Sequence, residues 1–212
     1  MRRGLFITLE GGEGCGKTTI ANAICQRLAE EGYDVLYTRE PGGVEIAEQI
    51  RRVILDINNT AMDSRTEALL YAASRRQHLV EKVIPALKAG RIVICDRFVD
   101  SSLAYQGYAR GIGMDDIWTI NNFAIDGYIP DLTLFFDVSV EEGLSRIVNR
   151  DKRDRLDVEA LDFHHRVYQG YKIVEEKYPE RIRNIDASRT IPEVFAQAYD
   201  LIKEKISAYE DQ

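Results

Sequence analysis

Eight residues near the start of the chain, Gly11-Gly12-Glu13-Gly14-Cys15-Gly16-Lys17-Thr18, fit the pattern G-x-x-x-x-G-K-[ST], and few folds can carry it. Glycines let the backbone curl so that successive N–H groups point at a phosphate with no Cβ in the way. Lys17 offers a flexible cation to the β- and γ-phosphates, and the Thr18 hydroxyl is a ligand for Mg²⁺. A helix beginning at Lys17 and running on through Thr19 aims its positive end at the same anion. Cys15 reads as a small residue filling a loop position. The pattern recurs by chance, so its surroundings must agree with it. Leu5-Phe6-Ile7-Thr8-Leu9 reads as a short buried strand and 19–31 as a helix, which puts strand, glycine loop and helix in the required order. The expectation is a nucleotide phosphate held by Gly11, Gly12, Glu13, Gly14, Cys15, Gly16, Lys17, Thr18 and Thr19, with Lys17 also catalytic. The loop does not say which reaction follows.

At 212 residues, 45% hydrophobic and 30% charged, the chain suits one domain over 1–212 with a good core. Its net charge of −7 argues against a nucleic-acid polymer as partner, because such domains carry a basic face. A small anionic substrate needs only a local cationic pocket. The three cysteines, Cys15, Cys25 and Cys95, are odd in number and lack C-x-x-C spacing, so they read as reduced thiols. The apolar run after Met1-Arg2-Arg3 is too short for a signal segment, and no stretch approaches the ~20 apolar residues of a membrane span. A cytoplasmic protein with no membrane partner is expected.

Strand and helix patterns alternate along the chain, which predicts a parallel sheet covered on both faces. Strands are expected at 5–9, 34–38, 92–95, 132–138 and 183–186. Helices are expected over 44–55, 64–90 with a kink at Pro85, 100–109, 114–125, 139–149, up to 177, and 190–208. Ser64-x-x-Glu67, Ser139-x-x-Glu142 and Thr190-x-x-Glu193 read as capping boxes. The fold class is α/β: a five-stranded parallel sheet flanked by helices, of the phosphate-loop NTPase kind built like a nucleoside monophosphate kinase. Ligands of such sheets bind past the carboxyl ends of the strands. Gly11, Arg39 and Asp96 each follow a strand there.

Asp96 is placed to reach Mg²⁺, directly or through water, and Arg97 beside it to fork onto a second phosphate. A second informative stretch is Arg150-Asp151-Lys152-Arg153-Asp154-Arg155-Leu156-Asp157, in which seven of eight residues are charged. It falls between two helices after the fourth strand, where a lid over about 149–157 can close. The phosphate loop carries no arginine, yet phosphoryl transfer needs cationic charge on the moving group. Arg150, Arg153 and Arg155 are the candidates to supply it, with Arg150 favoured. Tyr71 and Arg75 lie four apart on one helical face, and so do Ser102 and Gln106; an aromatic ring, a guanidinium and an amide suit a planar base. His78, His164 and His165 show no ligand spacing and read as structural or surface residues.

Taken together, five stretches resemble the thymidylate kinases of bacterial type: Glu10 to Thr19, Thr38-Arg39-Glu40-Pro41-Gly42-Gly43, Ala73-Ser74-Arg75-Arg76, Asp96-Arg97-Phe98, and Asp100 through Tyr105-Gln106-Gly107. The resemblance spans about 5–206. It implies transfer of a phosphoryl group from ATP to dTMP with Mg²⁺, giving ADP and dTDP. It implies that Glu13 holds the sugar 3′-hydroxyl and that Arg97 and Arg51 hold the acceptor phosphate. Tyr71 would stack on thymine, Arg75 and Gln106 would hydrogen-bond its edge, and Ser102 would line the same site. Tyr105 would crowd the sugar 2′ position, Glu40 would join the substrate-binding group, and Arg150 would be the lid arginine. A homodimer is implied as well. Two rivals stand beside this reading. One is another small phosphate-loop kinase, for a nucleoside or another nucleotide; a nucleoside kinase would need a carboxylate base, for which Glu40 is the suspect. A GTP-dependent switch is disfavoured because the chain holds neither D-x-x-G nor N-K-x-D.

Overall fold

Alternate residues of a parallel strand bury themselves on opposite faces of the sheet, and β1 (Phe6–Glu10) shows why the chain must cover both. Ile7 and Leu9 join a core formed with Ile20, Ile24 and Leu28 of α1 (Lys17–Glu30) and Val194, Ala198 and Ile202 of α9 (Ile191–Glu210). Phe6 points the other way, into a core with Leu79, Leu87, Val93 and Phe98. Each such Val, Leu, Ile or Phe side chain stabilises the fold by about 1.5–3 kcal/mol through burial. The computed structural model describes residues 3–147, 154–157 and 159–210. β2 (Val35–Arg39), β3 (Ile92–Asp96), β4 (Leu132–Asp137) and β5 (Ile182–Asp186) complete one parallel sheet in the order β2-β3-β1-β4-β5. Register puts Arg39 beside Asp96 and Asp96 beside Leu9, so three strands end on one row and open onto the same edge.

The remaining helices are α2 (Glu45–Leu55), α3 (Ser64–His78), α4 (Ile84–Lys88), α5 (Val99–Ser102), α6 (Met114–Ile125), α7 (Val140–Ile147) and α8 (Leu161–Lys177). Two details depart from the helix expectations. The capping box anticipated at Ser64 does not form. Asp63 caps α3 instead, its Oδ1 accepting from the Arg65 and Thr66 amides at 3.0 and 3.1 Å, and Glu67 turns inward. The long helix over 64–90 is divided by a π-helical turn at Leu79–Val83. Pro85 cannot donate a backbone hydrogen bond and crowds the carbonyl four residues back, which the wider turn relieves.

A second π-helical segment, Leu103–Ala109, follows α5 where an ordinary helix was expected. Its wide turn closes with Arg110 N–H donating to Tyr105 O, 2.9 Å. Gly170 lets α8 pack against it. A Cβ there would lie 2.9 Å from Ala104 Cα and 3.0 Å from Ala104 O, closer than side chains tolerate. Each of the boxes at Ser139 and Thr190 shows one of its two hydrogen bonds: Ser139 Oγ accepts from Glu142 N at 3.3 Å, and Glu193 Oε2 accepts from Thr190 N at 3.1 Å.

Candidate active site

The glycine loop leaves β1 at Glu10 and enters α1 at Lys17. Gly14 sits at φ 70°, and a Cβ on it would come within 1.9 Å of Gly143 O, so the loop presses its backbone onto α7. Lys17 folds back over the loop, Nζ donating to Gly11 O and Gly12 O at 3.0 Å each and to Cys15 Sγ at 3.1 Å. Cys15 is buried and donates its own S–H to Gly12 O. A cation held by neutral carbonyls is ready to exchange them for phosphate oxygens, which bind it more strongly.

At the start of α1 the Thr18 hydroxyl donates to Asp96 Oδ2 at 2.9 Å. An alcohol and a carboxylate oxygen this close, beside a phosphate-binding loop, form the hard donor set that a divalent magnesium ion takes.

Across from the loop is a wall of arginines. Arg97 follows β3 at φ 69°, a left-handed conformation that costs a non-glycine residue about 1–2 kcal/mol. The turn swings its side chain back over the glycine loop. Nη1 donates to Gly11 O at 3.0 Å and to the Tyr171 hydroxyl at 3.1 Å, and Nη2 donates to Glu13 Oε1 at 2.5 Å. Glu13 also accepts from the Tyr105 hydroxyl at 2.9 Å. Arg51 and Arg39 both donate to Pro41 O, at 2.8 and 3.1 Å, so two guanidinium groups meet on one carbonyl. Burial, and then the neighbouring Arg39 charge, hold the Arg51 guanidinium below its usual pKa. An anion placed between them relieves both penalties.

Aromatic and polar side chains share the same cavity wall. Tyr71 forms part of it, and burial keeps its phenol neutral by pushing the pKa up. Arg75, only 2% exposed, donates from Nε to Glu40 at 2.7 Å, from Nη1 to Ser102 at 3.0 Å and to Asn121, and from Nη2 to Phe98 O at 2.9 Å. Most of its donors are thus spent on the protein. Glu40 has its other oxygen against His78 Nδ1 at 2.9 Å, and His78 Nε2 meets the Thr38 hydroxyl at 2.7 Å. His78 is a buried strut. Gln106 donates from Nε2 to Glu67 at 2.8 Å.

Behind Arg97 sits a second carboxylate. Glu10 accepts from Phe98 N at 2.7 Å, from the Ser101 hydroxyl at 2.5 Å and from the Tyr171 hydroxyl at 3.1 Å. Burial, and then the nearby Asp100 charge, push its carboxyl up to about 7. The unfolded chain releases that proton near 4.5, so between about pH 4.5 and 7 the folded state binds more protons. Stability therefore falls as pH rises through this window, by up to about 3 kcal/mol from this group. Glu10→Gln copies the protonated acid and should flatten the slope. Thermal melts of both proteins from pH 5 to 8 read this directly, and parallel curves would assign the titration to another group.

These features line one cavity of about 380 Å³. Of the residues nominated from sequence that are described, all line it except Gly11, Gly12 and Arg155. Gly11 and Gly12 contribute carbonyls to Lys17, while Arg150 and Arg153 lie outside the described residues. Arg155 does not stand free as a lid cation. It is buried, with Nε on Ile54 O at 2.9 Å and Nη2 on Glu67. The structure adds Arg39, Arg146 and Ser101 to the cavity wall and Asn121 behind it. Arg39 ends β2 beside a Pro-Gly loop, a signal visible in sequence. Arg146 is a cation four residues before the charged run, but in sequence it reads as the interior of a helix.

Three comparisons bear on this arrangement. The family model described as thymidylate kinase matches residues 9–198. A thymidylate kinase of Halalkalibacterium halodurans is 60% identical over 209 residues, covering 98% of this chain and all of that protein. A thymidylate kinase of Clostridium novyi is 59% identical over 205 residues, 96% of this chain and all of the relative. The crystal structure of thymidylate kinase from Ehrlichia chaffeensis superposes with a TM-score of 0.76 at 34% identity, covering 94% of this chain and 99% of that one.

Proposed function

Because this chain belongs to the thymidylate kinase family, we infer that it transfers the γ-phosphoryl group of ATP to dTMP, releasing ADP and dTDP. The observation that carries the site reading is that one cavity is lined by the phosphate loop, by Arg39, Arg51 and Arg97, and by Tyr71, Arg75 and Gln106. That set suits a donor triphosphate, an acceptor phosphate and the planar base that carries it. The acceptor's second pKa is near ~6, so it arrives ionised and needs no base. A nucleoside hydroxyl would need one, and the candidate Glu40 has both oxygens engaged, by Arg75 and His78. The rate then rests on alignment and charge neutralisation.

In this reading Lys17 moves from its loop carbonyls to the transferring phosphate. Arg97 and Arg51 grip the acceptor phosphate, with Arg39 beside them. Glu13 takes the sugar hydroxyl, Tyr105 crowds the 2′ position, Tyr71 stacks on the base, and Ser102 lines that pocket. Thr18 and Asp96 would hold Mg²⁺, which would neutralise charge on the phosphates. With Arg155 tied to Glu67, Arg150 remains the favoured lid arginine, and Arg146 is a further cation at the cavity edge. The chain acts as one domain over 1–212 with a lid over about 149–157. Among the described residues no helix is long and apolar enough to cross a membrane, which supports the cytoplasmic reading.

A homodimer is part of the same reading. Ile46 and Val53 on α2, Leu69 on α3 and Phe123 on α6 are exposed apolar residues, Phe123 at 90%, on helices that pack α2 to α3 to α6. Sedimentation should return twice the 24.2 kDa chain mass; a monomer would remove the second copy from the account. The deciding experiment for the activity is ADP release with ATP, Mg²⁺ and a panel of nucleoside monophosphates and nucleosides. dTMP should be consumed fastest and thymidine not at all. Preference for any purine monophosphate, or for thymidine, would reject the assignment.

A further inference from the structure

Glu67 is not on the cavity wall, yet it is 1% exposed and gathers three side chains from two distant segments. Its carboxylate accepts from Gln106 Nε2 at 2.8 Å, from Arg110 Nε and Nη2 at 3.3 and 3.2 Å, and from Arg155 Nη2. Burial alone would raise the Glu67 pKa. The Gln106 hydrogen bond, then the Arg110 and Arg155 charges, override burial and hold it below the usual carboxylate range. At working pH the group is ionised, and an ionised carboxylate only accepts.

That has a consequence for Gln106. A side-chain amide has a donating end and an accepting end. Beside an obligate acceptor its nitrogen must turn inward to Glu67. The oxygen is then the end left for the cavity that Gln106 lines. An oxygen there welcomes an N–H and repels a lone pair. Thymine and uracil carry N3–H, whereas cytosine carries a bare N3. Resting on the dTMP reading above, we propose that Glu67 is a specificity-determining positioning residue: it fixes Gln106 oxygen-forward, so that the pocket accepts a pyrimidine bearing N3–H and rejects cytosine. A glutamine at 67 would remove the constraint, because its own N–H₂ can serve a flipped Gln106.

The test is the ratio of kcat/KM for dTMP to kcat/KM for dCMP. Glu67→Gln should lower that ratio about tenfold or more, while KM for ATP moves no more than about twofold. In a Gln106→Ala background the same substitution should change the ratio no further, since the amide it acts through is gone. Glu67→Gln takes from Arg155 and Arg110 the carboxylate they share and is checked for folding by thermal melting. Glu67→Gln with Arg155→Gln restores charge balance and should show the same loss of discrimination, whatever its kcat. A general structural role would lower both substrates' kcat/KM together and leave the ratio alone. An unchanged ratio in a folded variant, or an equal fall without Gln106, overturns the proposal and leaves the dTMP assignment standing. A wild-type enzyme indifferent between dTMP and dCMP overturns both.

Discussion

Lys17→Ala lowers kcat by about a thousandfold or more while the protein still folds. The ammonium is held by two loop carbonyls and a thiol, all neutral acceptors. Losing them costs the fold about 1 kcal/mol per hydrogen bond, and the loop glycines keep their conformation. Losing the charge costs much more in the reaction. A preorganised donor aimed at developing negative charge in a water-poor site is worth about 3–4 kcal/mol, and a cation on a transferring phosphoryl group is worth about 10³–10⁵ in rate. The effect on turnover should therefore exceed the effect on stability. Turnover of dTMP with saturating ATP, beside circular dichroism and a thermal melt, separates the two. A variant turning over within tenfold of the wild type would mean the loop lysine is not in the reaction path.

Arg97→Met should lower kcat/KM for dTMP about a hundredfold or more, chiefly through KM for dTMP, with KM for ATP little changed. Burial alone would lower the Arg97 pKa, but Glu13 and the flanking hydroxyls raise it well above the usual value, so the charge is permanent. The side chain spans Gly11 O, Tyr171 and Glu13, three partners in a fork no single point charge reproduces. Arg97→Lys should therefore recover little of the loss. The φ of 69° supports the same view, because an arginine in a costly backbone conformation is tolerated where its position is used. Removing it also takes the cation away from Glu13, so a fall in melting temperature is expected, and kinetics below that temperature separate the two effects. Rescue by Lys to near wild-type values, or a loss that falls on ATP instead of dTMP, would reassign Arg97 to a structural part.

Much of the fold was legible because its signals are local. A strand, a glycine loop and a helix were readable from about two dozen residues, and β4, α6 and the helix starts after Ser139 and Thr190 formed where their spacing said. The π-helical segment Leu103–Ala109 was not legible, since ordinary and wide turns share the same apolar spacing over so short a run. The misplaced cap at Ser64 has a related cause. Glu67 fits a capping box by position, but two arginines and a glutamine from elsewhere compete for its carboxylate, and burial decides the contest.

By itself the sequence determined that a phosphate loop lies between a buried strand and a helix, that strands alternate with helices, and that the chain carries the thymidylate kinase motifs. Those follow from residue type and spacing within a single turn or strand. Only the tertiary structure decided that β1 lies between β3 and β4, that Arg39 and Arg51 share one carbonyl, and that Arg155 is a buried strut. It also joined Glu67 to Gln106. Such pairings depend on which of several equally charged partners reaches a given carboxylate first without stranding another buried charge. That is set by the packing of distant segments, not by the neighbours in the chain.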